Sequence, residues 1–387
     1  MRAVKIRSSR RLLSGHLWIF SNEVTGSLKG FQKGELVEVL DHSGGFLGIG
    51  YVNPDSLIAI RLLSRRKIAI DVEFFKRRIS DALAYRKMVY PDENSFRVVF
   101  SDSDLLPGLI VDKFGDILVV QILTAGMEAL KEMIFNALES VLNPDVIVVK
   151  NDSPFRHLEG LETETYVLKG ELKAPVIIEE NGYRFEIDIL GGQKTGFFLD
   201  QRENRIAFSR LVKGGVGVDL FSYVGAWGIR LASKAEHVIC VDSSKNAVNL
   251  IKNNAALNRV SDKVEVLCDD VFDFLDRERN EKRKYDFIVL DPPAFVKSRA
   301  TLKRAISGYR AVNANAMLIL NKGGLLATSS CSHHISPEGF LDILRYAAKV
   351  TNRYLRVIEF RAQAKDHPFL VGMPETRYLK CAIMQVI

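Results

Sequence analysis

The feature that most constrains this fold is a change of rhythm near Pro175. From there the apolar runs VGVDLF, HVICVD, KVEVLCDD, YDFIVLD and GGLLATSS read as strands, with helical stretches such as Ser244–Leu257 and Arg310–Leu320 between them. Strands that alternate with helices are joined by crossovers, and crossovers make a parallel, doubly wound sheet with helices on both faces. A sheet of that kind binds its ligands beyond the carboxyl ends of its strands, so the residues following each run carry the information.

Those residues are acidic four times over. The first run leads into Asp219-Leu-Phe-Ser-Tyr-Val-Gly225-Ala-Trp-Gly228, a turn whose glycines let backbone approach a ligand before a helix begins. The second ends at Asp242, 23 residues after Asp219, where a carboxylate can accept both hydroxyls of a ribose. The third ends at Asp269–Asp270, placed to take the exocyclic amine of an adenine, and the fourth in Asp291-Pro-Pro-Ala-Phe295. Each aspartate alone is as well explained as a cap on the following helix. Four in register behind a glycine turn point to a nucleoside site instead. The turn lacks the GxGxxG spacing and offers few amides to a pyrophosphate, which argues against a dinucleotide.

Upstream the rhythm differs. Residues 1–70 carry short runs (GELVEVLD, GGFLGIGYV, SLIAIRLLS) separated by Gly and Asn-Pro turn signals, as in a small β domain. Trp18 and Phe20 are expected to fill its core. Residues 71–173 combine a helix over Val72–Val89, spaced by Phe74, Phe75, Ile79, Leu83 and Met88, with strands at Phe96–Phe100, Leu109–Val111 and Ile117–Ile122. A second helix over Met127–Leu142, stopped by Pro144, and the strand DVIVVK complete an α+β middle domain. Residues 174–387 hold the α/β domain.

The segments DLFSYVGAWGI, VDSSKNAVNLIKNNA, DVFDFL and DPPAF resemble the motif series of class I S-adenosylmethionine-dependent methyltransferases. GGQKTGFFLDQRENR resembles the lead-in segment of the ribosomal RNA large subunit methyltransferase I family, whose members make 5-methylcytosine. GHLWIFSNEV and FLGIGYVNPDSLIAIRLL resemble the signature of its PUA domain. The resemblance spans the chain. It implies an α/β, Rossmann-like class I methyltransferase domain preceded by a small β-barrel PUA domain and an α+β middle domain.

By the same resemblance, Asp219 and Gly225 shape the methionine end of an S-adenosylmethionine pocket, Asp242 holds the ribose and Asp270 the adenine. Thr195, Phe197, Asp200, Gln201 and Arg202 close over the cofactor, and Phe221, Ser222, Ser243, Val271 and Asp291 complete the set. Arg202 either grips the methionine carboxylate in bidentate fashion or pairs with Asp200 or Glu203. No metal is implied.

Carbon 5 of cytosine is a poor nucleophile until a thiolate adds at carbon 6, so such chemistry needs a cysteine at a strand end. Cys331, in Ser-Ser-Cys331-Ser-His-His, sits in polar surroundings where the fifth run ends and matches the family's SCS motif. His333 and His334 favour the thiolate if charged and near. Cys240 and Cys381 lie in apolar runs and read as core, and Cys268 as structural. The resemblance gives Asp291 a contact near nitrogen 3 of the cytosine ring and Phe295 a stack on the base. Another branch of RNA cytosine-5 methyltransferases carries a second cysteine just after the two prolines. Here that residue is Ala294, and the group that removes the carbon-5 proton is unassigned. A similar Asp/Asn-Pro-Pro-aromatic turn serves exocyclic-amine methylation, so methylation of another base atom stays open. So does a non-catalytic RNA-binding or assembly factor.

The formal net charge of +7 agrees with an anionic partner. The family implies RNA, ribosomal RNA in particular (23S), gripped by the first domain and by clusters at Arg7, Arg10, Arg11 and Arg65–Lys67; a homodimer is compatible with this. The four scattered cysteines form no CxxC pair, and no run reaches the roughly 20 apolar residues of a membrane span, which fits a protein of the reducing cytoplasm.

Overall fold

The computed structural model describes residues 1–295 and 302–387, which form two compact units. The first comprises residues 1–176, 188–199 and 365–377; the second comprises 177–187, 200–364 and 378–387.

In the first unit, the N-terminal 70 residues make a six-stranded sheet from Arg2–Ile6, Trp18–Phe20, Val24–Thr25, Leu36–Leu40, Phe46–Val52 and Ile58–Ser64. Arg2–Ile6 runs parallel to Leu36–Leu40, and the other pairings are antiparallel. The middle region lays helices Val72–Val89 and Lys131–Leu142 on a five-stranded sheet. Its core takes in Ile49, Tyr51 and Leu63 of the first sheet, so the two sheets share apolar interior. The buried Glu159 fastens them further. It accepts from Asn53 Nδ2 (2.8 Å), Ser56 Oγ (3.1 Å) and the Ala125 amide (3.3 Å), and pairs with Arg61 at 2.8 Å.

Three local expectations change. Met88 is exposed: the buried residues of its helix are Phe74, Phe75, Ile79, Ala82 and Arg86, and Met88 falls off their stripe. The Met127–Leu142 pattern is two helices, Ala125–Ala129 and Lys131–Leu142, meeting at Leu130. Trp18 is only half-buried and donates its Nε1 to Asp102 (2.7 Å), while half-buried Phe20 lies under Arg11.

The second unit holds a seven-stranded sheet: β1 (Val216–Leu220), β2 (His237–Asp242), β3 (Val264–Cys268), β4 (Tyr285–Leu290), β5 (Leu320–Ser330), β6 (Leu355–Arg361) and β7 (Lys380–Val386). The spatial order is 3-2-1-4-5-7-6, and β7 alone runs antiparallel to its neighbours. The order reverses between β1 and β4, which opens a crevice at their carboxyl ends.

The helices are α1 (Arg202–Ser209), α2 (Ala226–Ala232), α3 (Lys245–Leu257), α4 (Val271–Asn280), α5 (Leu302–Leu318) and α6 (Pro337–Val350). Their starts are written in the sequence. Ser244 accepts from the Ala247 amide, Asp270 from Phe272 and Asp273, and Ser336 from Gly339, with Pro337 in the first turn where its missing N–H costs nothing. On α6 the apolar stripe Phe340, Ile343, Leu344 and Ala347 joins a core with Val218, Leu220, Ile288 and Leu290. Each of these side chains larger than alanine contributes about 1.5–3 kcal/mol through burial. No described helix is long and apolar enough to cross a membrane.

Candidate active site

The turn after β1 is held in a conformation that ordinary side chains avoid. Phe221 (φ +63°), Tyr223 (+52°) and Gly225 (+78°) are all left-handed. Hydrogen bonds impose this. Ser222 exchanges bonds with Val241 of β2, its hydroxyl also donating to Asp219 O (2.6 Å), and Asp242 accepts from the Tyr223 amide (2.9 Å). The helix behind the turn packs so closely that a Cβ on Gly228 would lie 2.3 Å from Cys240 Sγ.

Asp219 is buried beneath this turn. Its Oδ2 accepts from the Gly228 amide (2.9 Å), whereas Oδ1 has no partner among the described residues. Burial, with the charges of Asp291 and Asp242 adding to it, pushes its pKa up to about 7. A buried carboxylate oxygen of this kind can accept from a cationic donor.

At the end of β2, half-buried Asp242 spans two elements, since its other oxygen accepts from Ser244 at the head of α3 (2.9 Å). Exposed Ser243 follows it. At the end of β3, exposed Asp270 caps α4 through Oδ1, and Val271 is buried in the first turn. Helix capping is thus real for Asp270 and uses Oδ1. Cys268 is exposed, not packed inside as expected, whereas Cys240 and Cys381 are fully buried.

Around the end of β4, Asp291 is held by the Gln201 amide (2.9 Å to Oδ1) and the Trp227 indole (3.2 Å to Oδ2). Loss of hydration raises its pKa to about 6, and the charge of nearby Asp200 adds to the shift. Gln201 also reaches Ser329 Oγ on β5 (3.1 Å), and Asn204 fixes the Gln201 carbonyl (2.6 Å). Strands β4 and β5 pair in parallel with Leu290 opposite Thr328. Half-buried Cys331, the first residue beyond β5, therefore leaves the sheet on the same edge as Asp291. Phe295 packs among Phe221, Phe272 and Tyr309, with ring centroids 6.4, 6.4 and 4.6 Å away. His333 is exposed beside Tyr378, and the Tyr378 hydroxyl donates to Asp200.

Arg202 has a partner that the sequence did not suggest. It is fully buried 3.5 Å from Glu180, a carboxylate that also binds Arg205 and Arg230. Burial alone would raise the Glu180 pKa, but the three guanidinium groups outweigh it and hold the pKa below its ordinary value.

Phe221, Ser222, Gly225, Asp219, Asp242, Gln201 and Asp291 are thus brought together at the switch point. Thr195 and Phe197 belong to the first unit, where both are buried and Thr195 donates to Asp112 (2.6 Å). Trp227 and Glu180 were missed, since each acts through contacts far along the chain, and Asn204 was missed although it lies one helical turn from Gln201. Asn254 had a visible signal, a polar residue on the apolar stripe of α3. It is fully buried and ties Val224 of the turn to Glu186 of the hairpin Val176–Glu180/Tyr183–Ile187. In the first unit, Arg65 donates to Leu12 O, which joins the two basic clusters into one patch, with Arg7, Arg10, Arg66 and Lys67 exposed.

The donor set fits S-adenosylmethionine: a buried carboxylate with one oxygen unpartnered among the described residues for an ammonium, and acidic strand ends for a ribose and an adenine amine. Comparison with known proteins agrees. The PUA-like domain profile matches residues 3–65, and that of the S-adenosylmethionine-dependent methyltransferase family matches residues 155–365. The ribosomal RNA large subunit methyltransferase I of Tolumonas auensis is 38% identical over 385 residues, covering 98% of this chain and 97% of its own. That of Citrobacter koseri is 36% identical over 384 residues, covering 97% of each. A solved SAM-dependent methyltransferase assignment from Streptococcus mutans has the same fold, with a TM-score of 0.86 at 21% identity over the whole of both chains. A methyltransferase structure in complex with SAH matches at 0.87, also at 21% identity over both full chains. The chain belongs to the ribosomal RNA large subunit methyltransferase I family of S-adenosylmethionine-dependent methyltransferases.

Proposed function

We propose that this protein is a cytoplasmic enzyme that methylates carbon 5 of a cytosine in large-subunit (23S) ribosomal RNA through a covalent adduct with Cys331. The observation that carries the reading is the emergence of Asp291 and Cys331 from adjacent parallel strands at the edge where the cofactor carboxylates cluster. The relatives bearing this family's name act on ribosomal RNA by that name.

In this reading Asp219 takes the methionine ammonium of the cofactor, Arg202 its carboxylate, Asp242 the ribose hydroxyls and Asp270 the adenine amine. Phe221, Ser222, Gly225, Ser243 and Val271 line the pocket, and Asp200 and Gln201 close over it. When bound, S-adenosylmethionine supplies an electrophilic methyl group on its sulfonium. Gln201 and Trp227 orient Asp291. A carboxyl whose pKa is about 6 carries the proton part of the time near neutrality, and it can lend that proton to nitrogen 3.

The Cys331 thiolate adds to carbon 6, the ring electrons move toward nitrogen 3, and carbon 5 becomes nucleophilic enough to take the methyl group. A base then removes the carbon-5 proton, the carbon 6–sulfur bond breaks to release the thiolate, and nitrogen 3 returns its proton to Asp291. No residue is assigned to the carbon-5 deprotonation. The target base must leave any stack to be reached, at a cost of a few kcal/mol.

The test is incubation of wild-type protein and Cys331→Ala with labelled S-adenosylmethionine and unmodified large-subunit ribosomal RNA, followed by nucleoside analysis. Label in 5-methylcytosine that vanishes in the variant is expected, as is a stable adduct with RNA containing 5-fluorocytosine. Label in another nucleoside, or activity that survives the substitution, overturns the covalent route.

A further inference from the structure

Lys380 is a charge where a strand interior should have none. It stands in the run Tyr-Leu-Lys380-Cys-Ala-Ile-Met of β7, pairs with Ser330 across the antiparallel β5–β7 ladder, and is only 3% exposed. Burying an ammonium is costly unless an opposite charge or several acceptors meet it. Two acceptors do. Nζ donates to Ser332 O at 2.7 Å and to Tyr378 O at 2.8 Å. Both are neutral carbonyls, and Ser332 is the residue directly after Cys331. The lysine tail thus reaches across the end of β5 and anchors its head group at the peptide that follows the cysteine.

Among the described residues no carboxylate acts on this ammonium. Burial lowers its pKa to about 8, and the one charge that works in the opposite direction is that of Cys331. The other titratable groups around the cysteine do not compensate the lysine. Tyr309 of α5, whose hydroxyl lies 3.2 Å from Ser332 Oγ, has its pKa raised by burial and stays neutral. The Tyr378 hydroxyl is spent on Asp200, His333 is exposed, and Asp291 is bound by Gln201 and Trp227. A buried cation whose one ionisable neighbour among the described residues is a thiol favours the thiolate by the same free energy with which the thiolate favours the cation.

We propose that Lys380 is the positioning residue of the nucleophile: its buried ammonium, anchored on Ser332 O, holds Cys331 as the thiolate. This rests on the assignment of Cys331 as nucleophile. The thiol proton leaves to solvent and the sulfur remains as an anion beside the ammonium. When sulfur bonds to carbon 6 its negative charge passes into the ring. When that bond breaks, the electron pair returns to sulfur and the ammonium stabilises the departing thiolate. Lys380 keeps its proton throughout and touches no reacting carbon.

The experiment reads the thiol itself. In full-length protein carrying Cys268→Ser, so that the exposed cysteine is silent, the rate of iodoacetamide alkylation at Cys331 is followed against pH, with mass spectrometry locating the label. The wild-type midpoint is expected at least one unit below the ordinary thiol value of about 8.5. Lys380→Met should raise it by a unit or more, cutting the thiolate fraction at pH 7 about tenfold, while Lys380→Arg should keep it low. A wild-type midpoint at or above 8.5 overturns the proposal even if the methionine variant does not fold, and so does a midpoint that Lys380→Met leaves unchanged. Because alkylation needs neither RNA nor cofactor, it is independent of the nucleophile assignment. A low, Lys380-dependent midpoint together with full methylation by Cys331→Ala would show the pair to exist and the covalent route to be wrong.

Discussion

Asp219 shows how one buried carboxylate links stability to binding. Its folded pKa of about 7 lies above its unfolded value, so the folded state holds the proton more tightly. The stability this confers is fully present below pH 4 and is lost as pH rises through about 7, beyond which folding must bury the charge. Asp219→Asn removes that dependence. The variant should be more stable than wild type at pH 8 by on the order of 1–3 kcal/mol and nearly equal to it at pH 4, read by denaturant unfolding. In the proposed pocket it should also bind S-adenosylmethionine at least tenfold more weakly by calorimetry, because an amide cannot neutralise an ammonium. A variant equally destabilised at both pH values would show that the residue acts through packing alone.

At the level of elements, α3 does more than cover the sheet. Asn254 donates to Val224 O (3.0 Å) and Glu186 O (3.1 Å) and accepts from the Glu186 amide (2.6 Å), so one side chain fastens the hairpin and the turn after β1 to the helix. Asn254→Ala strands three main-chain groups, the buried Val224 carbonyl and the half-buried amide and carbonyl of Glu186. It should cost about 2–3 kcal/mol in unfolding free energy, with methylation KM for cofactor rising more than kcat falls. An unchanged KM would mean the turn keeps its left-handed residues unaided.

Such contacts also mark what was legible in the sequence. The five runs of the α/β domain, the capping residues Ser244 and Asp270, and the strand-end aspartates follow from local periodicity and end chemistry, which a single segment carries. The split at Leu130, the exposure of Cys268, the clamp of Trp227 on Asp291 and the Glu180–Arg202 pair do not. Each is decided by residues tens of positions away. Lys380 and Asn254 lie between these cases. Their signal is a polar residue inside an apolar period, which tells that something is paired there but not with what.

For the whole molecule, the proposed RNA substrate has to be held by charge, and the charge is unevenly placed. Asp219, Asp242, Asp270 and Asp291 make the proposed cofactor end acidic, whereas the N-terminal sheet presents Arg7, Arg10, Arg66 and Lys67 to solvent, with Arg65 bridging to Leu12. Lys67 is already paired with Glu38 (2.8 Å), so Arg7, Arg10 and Arg66 are the groups most available to phosphates. Each arginine that displaces a counterion from single-stranded RNA contributes about 0.7 to the slope of log affinity against log salt. The triple change Arg7→Ala, Arg10→Ala, Arg66→Ala should therefore weaken RNA binding at low salt and flatten that slope by up to about 2, read by fluorescence anisotropy between 50 and 200 mM salt. Cofactor affinity should stay the same, because none of the three belongs to the unit that carries the strand-end aspartates. An unaltered slope would move the RNA footprint off the N-terminal sheet while leaving the proposed chemistry at Cys331 intact.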